Sequence, residues 1–219
     1  MTTADAGVAA AYDARAAEYV AVAGTIEQMD ARDAAVIESW RDGTDGPLLD
    51  AGCGPGHWTG FLSRGGRSVR GIDLSGEFVA TARERHPGIP FDLGSFRDLP
   101  LEAGSLGGIL AWYSLIHTPP ADVRAIFVEF ARVLAPGGSI LIGFFDGEPR
   151  KPFAHAVAPA YFWSTDALAA VLADAGFEVV STEARGREAD EISVRPHGSL
   201  VARAAPSTLV HTRPEEDRG

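Results

Sequence analysis

The chain has 219 residues, of which 46% are hydrophobic and 22% charged, a composition typical of one soluble globular domain. Its 19 basic and 30 acidic residues give a net charge of −11, which argues against a dedicated nucleic-acid binder because a negative surface repels phosphate. The single cysteine, Cys53, excludes an intramolecular disulfide, and neither a signal peptide nor an apolar run of about 18 residues is present, so we expect a cytoplasmic protein without a membrane partner.

Residues 1–45 are predicted to form an N-terminal helical segment of two helices, broken near Gly24. Apolar and aromatic side chains recur there at helical spacing, at Ala10, Tyr12, Ala16, Tyr19, Val20 and Ala23 and again at Met29, Val36, Ile37 and Trp40. From residue 47, short apolar runs alternate with helical patterns. We expect strands at residues 47–51, 68–72, 90–93, 106–112, 138–145, 177–183 and 199–204, and helices at residues 58–63, 75–86, 119–134 and 165–175.

This alternation predicts an α/β fold, a doubly wound and mostly parallel sheet with helices on both faces. The last two strands have no helical pattern between them. We expect them to pair antiparallel, because a parallel return needs a crossover connection. Residues 1–204 are predicted to form a single domain, and residues 205–219 a polar C-terminal tail.

The loop after the first predicted strand is rich in glycine, and in such a sheet ligands bind beyond the carboxyl ends of the strands. Gly52, Gly54 and Gly56 allow positive φ and let backbone N–H groups approach a ligand. A tight strand-to-helix turn alone would also explain these glycines. Asp73, however, ends the second strand 21 residues after Gly52, where a carboxylate can accept hydrogen bonds from both hydroxyls of a ribose.

The spacing of the glycines differs from that of dinucleotide-binding loops. Gly-x-Gly-x-Gly stands in place of Gly-x-Gly-x-x-Gly, Pro55 lacks an N–H donor, and the carboxylate of Asp50 would repel a phosphate. The loop therefore suits a nucleoside with a positively charged extension better than it suits NAD. A nucleotide-dependent oxidoreductase is the less favoured alternative.

Four motifs in this order resemble those of the class I S-adenosylmethionine-dependent methyltransferases, over about residues 12–204. Leu48-Leu49-Asp50-Ala51-Gly52-Cys53-Gly54-Pro55-Gly56 is similar to the family's first motif, and Gly71-Ile72-Asp73-Leu74-Ser75 to its second-strand acidic motif. Residues 91–95 and 99–101 resemble its adenine loop, and residues 132–138 the turn before its fifth strand. The resemblance implies a seven-stranded sheet of order 3-2-1-4-5-7-6 in three α/β/α layers, and an enzyme, monomeric or homodimeric, that methylates O, N or C of a small-molecule acceptor.

Carried over by position, the resemblance implies a site for S-adenosylmethionine, or its product S-adenosylhomocysteine, at Tyr19, Asp50, Gly52, Cys53, Gly54, Asp73, Leu74, Ser95, Phe96, Ala111 and Trp112. Asp50 would face the amino group of the methionine part, directly or through water, and Asp73 the ribose hydroxyls. Ser95 and Gly107 depart from the family pattern, because acids are usual at these two positions. A non-catalytic or regulatory module that binds the same cofactor is therefore an alternative.

Methyl transfer is an in-line displacement, for which a protein aligns the reactants, excludes water and, for some acceptors, removes a proton. His117 follows the fourth strand and is the best candidate base, since imidazole titrates near neutral pH; capping the next helix or binding the cofactor's carboxylate are alternative roles. The family's fold implies a lid-like insertion at residues 146–164, where Lys151 would either receive an anionic acceptor or be solvated. The acceptor pocket is predicted at Tyr12, Tyr113, His117, His155 and Trp163. No metal site is predicted, because the six histidines are scattered.

Overall fold

The computed structural model describes residues 2–186 and 195–205. Three helices, α1 (Thr3–Asp13), α2 (Ala16–Ala23) and α3 (Ala31–Asp42), precede the first strand, with a 3₁₀ turn at Ile26–Gln28. Four more follow it, α4 (His57–Leu62), α5 (Gly76–Arg85), α6 (Val123–Val133) and α7 (Thr165–Ala173). The strands are β1 (Leu48–Ala51), β2 (Val69–Asp73), β3 (Phe91–Leu93), β4 (Leu106–Trp112), β5 (Leu134–Phe145), β6 (Pro152–Phe153), β7 (Ala160–Tyr161), β8 (Phe177–Arg185) and β9 (His197–Ala204).

Seven of these strands form one sheet, in the order β3-β2-β1-β4-β5-β9-β8. The strands β1 to β5 pair in parallel, whereas β9 runs antiparallel to both of its neighbours. The predicted fold class, strand order and antiparallel final pair are therefore confirmed, with β8 and β9 as the last two predicted strands. The short hairpin of β6 and β7 was not predicted.

Both faces of the sheet are buried. Successive side chains of a strand point to opposite sides, so the two faces carry different residues. On one face, Leu48, Leu110 and Leu141 pack with Ile37 of α3 and Trp58 of α4. On the other face the intervening residues pack against α6 and α7; they include Leu49, Ile109, Ile140 and Ile142. Helices thus cover the two faces, and the loops that follow β1, β2 and β4 gather at one edge, beyond the carboxyl ends of the parallel strands.

The N-terminal helical segment differs from the two helices predicted, since it contains three helices and a 3₁₀ turn. Helix α1 ends at Asp13, whose Oδ1 accepts hydrogen bonds from Ser75 Oγ at 2.5 Å and from the N–H of Glu77 at 3.2 Å, at the start of α5. This contact joins residues more than 60 positions apart. The helical spacing of apolar residues continues across the break between α1 and α2, so the local sequence pattern could not reveal this break.

Helix α6 is shorter than predicted, beginning at Val123 rather than at residue 119. The preceding residues form a turn instead, in which the N–H of Asp122 donates to the carbonyl of Pro119. Of the helices described above, none combines the length and apolar character that a membrane crossing needs. Beyond residue 205, the predicted polar tail lies outside the described residues.

Candidate functional site

A cavity of about 1040 Å³ lies where the loops after β1, β2 and β4 meet. Its wall combines the glycine-rich loop after β1, residues 73–75, residues from the 112–119 segment, and side chains of α1 and α2. Pockets that hold one small ligand measure about 300–1000 Å³. The cavity is therefore large enough for two small molecules side by side.

The loop after β1 exposes its backbone to this cavity. Gly52 and Gly54 have φ values of +81° and +53°, a region that favours glycine. A Cβ on Gly52 would lie 2.3 Å from the Cβ of Ser114, so the close approach of the loop to the segment after β4 also requires glycine there. Cys53 is buried between the two glycines, and burial raises the pKa of its thiol, which makes it a packing group rather than a nucleophile.

Asp73 stands on the cavity wall at the end of β2. Its Oδ2 accepts a hydrogen bond from the N–H of Gly54 and its Oδ1 one from the N–H of Ser75, both at 2.8 Å. Burial raises the pKa of Asp73 despite these donors. Each carboxylate oxygen can accept a second hydrogen bond. The carboxylate is thus held in place while two acceptor positions are left for the hydroxyls of a ligand.

Two tyrosines from the N-terminal helices cover the cavity. The ring centroids of Tyr12 and Tyr19 lie 5.5 and 5.1 Å from that of Phe78. Burial raises the pKa of Tyr19 to about 12 and raises that of Tyr12 still further, so both phenols keep their protons at neutral pH.

His117 joins this cover to the 146–164 segment. Its Nε2 lies 2.9 Å from the hydroxyl of Tyr12, and its Nδ1 lies 2.9 Å from the carbonyl oxygen of Pro159. A carbonyl only accepts, so Nδ1 carries the hydrogen and Nε2 accepts from Tyr12. Burial also lowers the pKa of His117. Both ring nitrogens are therefore engaged, an arrangement that favours a positioning role over the predicted role as general base.

Two buried polar atoms lie beside the glycine loop, Nδ1 of His57 and Oγ of Ser114. Neither atom has a hydrogen-bond partner among the described residues. Both residues line the cavity. Burial lowers the pKa of His57 to about 4, helped by the charge of Arg85, so the imidazole is neutral. Buried polar atoms without partners are costly, and a ligand with polar groups would satisfy them. Sequence reasoning missed both residues, although His57 directly precedes a predicted helix and Ser114 lies two residues after a predicted strand.

Asp50 does not line the cavity, contrary to its predicted contact with the ligand. Its side chain is 2% exposed beneath the loop, and Oδ2 accepts a hydrogen bond from Thr59 Oγ1 at 2.7 Å. Burial raises the pKa of Asp50 to about 7. The carboxyl group therefore ties β1 to α4 and supports the loop from below.

Three further predicted site residues lie away from the cavity wall. Ser95 Oγ accepts a hydrogen bond from the N–H of Arg97 at 3.2 Å, which turns the hydroxyl toward its own loop. Ala111 is fully buried within the sheet, and Trp163 packs in the main core. The other predicted residues do line the cavity: Tyr19, Gly52, Cys53, Gly54, Asp73, Leu74, Phe96 and Trp112 of the cofactor set, and Tyr12, Tyr113, His117 and His155 of the acceptor set.

The absence of an acid at position 107 has a structural cause. A Cβ on Gly107 would lie 1.6 Å from the carbonyl oxygen of Asp45, at the start of β4 and not at the end that reaches the cavity. Lys151, the cation predicted for an anionic acceptor, is exposed and pairs with Glu148 at 2.6 Å. Cations on the cavity wall come instead from arginines that sequence reasoning missed, among them Arg185 and Arg195.

Part of the wall is a group of rings from the ends of β4, β5 and β9 and from the 146–164 segment. This ring cluster consists of Tyr113, Phe145, His155 and His197. The centroid of Phe145 lies 5.0 Å from Tyr113, 6.2 Å from His155 and 5.7 Å from His197. The Tyr113 hydroxyl also hydrogen-bonds Nδ1 of His197. Flat side chains of this kind suit a flat ligand.

Residues 48–138 match the protein family described as "Methyltransferase domain", and they include the glycine loop and Asp73. The chain carries a class I methyltransferase domain. The resemblance drawn from the four motifs is thereby confirmed, and the cofactor of this family is S-adenosylmethionine. Among the described residues of the domain, no group of three or more His, Cys, Asp or Glu side chains could hold a metal ion.

Several similar proteins are methyltransferases by name. A probable S-adenosylmethionine-dependent methyltransferase of Mycolicibacterium smegmatis is 30% identical over 70% of this chain and 61% of its own length. The malonyl-[acyl-carrier protein] O-methyltransferase of Erwinia billingiae is 30% identical over 51% of this chain and 44% of its own length, so the domain spans only part of these relatives. The 1,6-didemethyltoxoflavin-N1-methyltransferase of Burkholderia thailandensis, solved with S-adenosylhomocysteine, shares the fold with a TM-score of 0.72, at 23% identity over 94% of this chain and 92% of its own.

Proposed function

We propose that this methyltransferase domain binds S-adenosylmethionine in the cavity and transfers its methyl group to a small-molecule acceptor. One observation carries the proposal: the glycine loop from β1 and the carboxylate of Asp73 from β2 share one wall of a cavity with room for a second ligand. The names of the relatives support the same activity.

The residues present fit this cofactor. Asp73 keeps two acceptor positions for the ribose hydroxyls, and Gly52 and Gly54 leave the loop backbone open to the methionine part. The unpartnered atoms of His57 and Ser114 lie beside the same loop, where a polar ligand group can satisfy them. When bound, S-adenosylmethionine supplies an electrophilic methyl group on a sulfonium.

The contribution of the protein is alignment and the exclusion of water. Tyr12 and Tyr19 cover the cavity from the N-terminal helices, and the bond from Tyr12 to His117 ties this cover to Pro159. We assign His117 a positioning role, because it holds two elements together while its lone pair is occupied. The 146–164 insertion acts as a lid in this proposal, with His155 on the cavity wall.

The proposal is tested by calorimetric titration of the purified protein with S-adenosylmethionine, S-adenosylhomocysteine and NAD. We expect micromolar binding of the two sulfur nucleosides and none of NAD. Binding of NAD alone would indicate an oxidoreductase, and absence of binding by both sulfur nucleosides would refute the proposal. Binding without transfer of a tritiated methyl group to any acceptor in a chemically broad panel would support the non-catalytic alternative.

A further inference from the structure

His155 lies in the part of the cavity wall that the ring cluster forms, and its side chain carries a hydrogen-bond donor. The Nδ1 atom of His155 accepts a hydrogen bond from the N–H of Val157 at 3.5 Å. When one nitrogen of a neutral imidazole accepts, the other carries the hydrogen, so Nε2 of His155 is an N–H donor. Within residues 2–186 and 195–205 this N–H has no partner, and it is not one of the buried atoms that lack a partner. The donor is therefore open to a ligand.

The surroundings of His155 keep its imidazole neutral. Burial lowers the pKa of His155 to about 4, and the nearby positive charges of His117, Arg195 and Arg15 add to the effect. A histidine with so low a pKa carries no charge near neutral pH. Its side chain therefore meets a ligand as a hydrogen-bond donor and not as a cation.

Aromatic rings surround this donor. The ring centroid of His155 lies 5.1 Å from that of His117, 6.2 Å from that of Phe145 and 6.4 Å from that of Phe153. The rings of Phe145 and Phe153 pack edge to face, with their centroids 5.6 Å apart and their planes at 85°. Aromatic rings attract one another in such geometries, and a flat aromatic ligand makes the same contacts. The wall thus suits a flat molecule, to which it offers one N–H.

The charged side chains of the cavity wall are balanced, since the described part of the wall includes four arginines and four aspartates. Three of the arginines form ion pairs with three of the aspartates: Arg32 with Asp30 at 2.9 Å, Arg97 with Asp5 at 2.9 Å, and Arg185 with Asp33 at 2.7 Å. Arg195 is not free either, because it donates to the carbonyl oxygen of Ala154 at 2.8 Å and lies over the ring of Phe153. Asp73 is assigned to the ribose. Burying a charge without a partner is costly, so this wall favours an uncharged acceptor.

We propose that the acceptor is a flat, uncharged molecule whose carbonyl oxygen or ring nitrogen accepts a hydrogen bond from Nε2 of His155. This proposal rests on the proposed function and names its substrate class. A carbonyl oxygen and a ring nitrogen both present a lone pair in the plane of a flat molecule, and this shared feature is what the N–H recognises. His155 is thus a residue that determines specificity for the acceptor and takes no proton from it.

The test measures binding, so it does not depend on finding the natural acceptor. The protein saturated with S-adenosylhomocysteine is titrated at pH 7 with 2-acetylnaphthalene and with 2-isopropenylnaphthalene. These two ligands have nearly the same shape, but only the ketone has an oxygen that accepts a hydrogen bond. We expect the ketone to bind about two- to tenfold more tightly than the alkene, as one neutral hydrogen bond provides. Equal binding of the two, or no saturable binding of either, overturns the proposal.

Two variants at position 155 assign the preference to the N–H. His155→Phe keeps a flat ring and removes the donor, so this variant should bind the ketone and the alkene equally. His155→Asn supplies an amide N–H and should keep a preference for the ketone. His86→Phe is the matched control, because His86 is half-buried and does not line this cavity. A preference for the ketone that survives in His155→Phe would refute the role of His155.

Three further ligands test the charge and the chemical group of the acceptor. 2-Naphthoate should bind more weakly than 2-acetylnaphthalene, and the reverse order would overturn the assignment of an uncharged acceptor. Isoquinoline is compared with naphthalene: a larger gain than that of the ketone over the alkene assigns a ring nitrogen, and a smaller gain assigns a carbonyl oxygen. Failure of S-adenosylhomocysteine itself to bind would contradict the proposed function, and is thereby distinguishable from failure of this inference.

Discussion

Asp73→Asn is expected to weaken the binding of S-adenosylhomocysteine by about 10- to 150-fold. In the structure each oxygen of Asp73 already accepts one backbone N–H at 2.8 Å, from Gly54 and from Ser75. Only the second acceptor position of each oxygen is open to a ribose hydroxyl. An asparagine keeps one of these positions and removes the charge. Hydrogen bonds to charged groups contribute about 1.5–3 kcal/mol, which corresponds to that range of affinity.

The same substitution also affects the loop, because the amide of asparagine turns an N–H toward the N–H of Gly54 or Ser75. An unsatisfied donor costs about 1–3 kcal/mol of stability. Urea denaturation of the free protein is therefore measured first, and the titrations are made where the variant is fully folded. Asp92→Asn is the control, since Asp92 lies on the neighbouring strand, is partly exposed and pairs with Arg70 at 3.5 Å. We expect it to change affinity by less than about twofold, as is usual for a surface ion pair.

The 2′-deoxy analogue of S-adenosylhomocysteine separates a ribose contact from a general loosening of the loop. The wild-type protein should bind the analogue more weakly than the parent nucleoside, and Asp73→Asn should bind the two almost equally. The reasoning is refuted if the variant retains wild-type affinity while folded, or if it discriminates between the two nucleosides as well as the wild-type protein does.

Two further predictions concern the loop and its support. Gly52→Ala should lower the stability measured by thermal unfolding more than Gly65→Ala does. Both glycines have positive φ, but only a Cβ at position 52 would meet another side chain, the Cβ of Ser114 at 2.3 Å. Equal losses of stability would show that this contact is unimportant. Folding raises the pKa of Asp50 from about 4 to about 7, so its carboxyl binds a proton on folding and stability falls as pH rises through this interval. In Asp50→Asn the amide oxygen can still accept the hydrogen bond from Thr59, so the dependence of stability on pH should flatten. In denaturant titrations at pH 8 the variant should match or exceed the stability of the wild-type protein. A large loss of stability at both pH 5 and pH 8 would contradict the raised pKa of Asp50.

Much of the fold and part of the site could be predicted from local pattern. Apolar runs alternating with helical spacing identified the seven strands, and the family resemblance implied their order. Glycine spacing with a strand-terminal acid located Gly52, Gly54 and Asp73 on one edge of the sheet. These features are local, because strand and helix periodicity and the need for positive φ are properties of a few consecutive residues. The break after α1 was not predictable in this way, since the helical spacing of apolar residues continues across it and the residue at the break, Asp13, contacts the start of α5.

Tertiary structure decided which side chains reach the cavity. The family resemblance implied that Asp50 faces the ligand, yet its side chain turns beneath the loop to Thr59. Tyr12 and His117 are 105 residues apart, and their hydrogen bond engages the Nε2 atom of the histidine that was expected to act as a base. Arg195 reaches the ring of Phe145 because β9, which follows it, runs back antiparallel beside β5. The sequence by itself determined the strands of the sheet and the glycine loop, whereas the partners of Asp50 and His117 follow from long-range packing, which brings distant residues into contact.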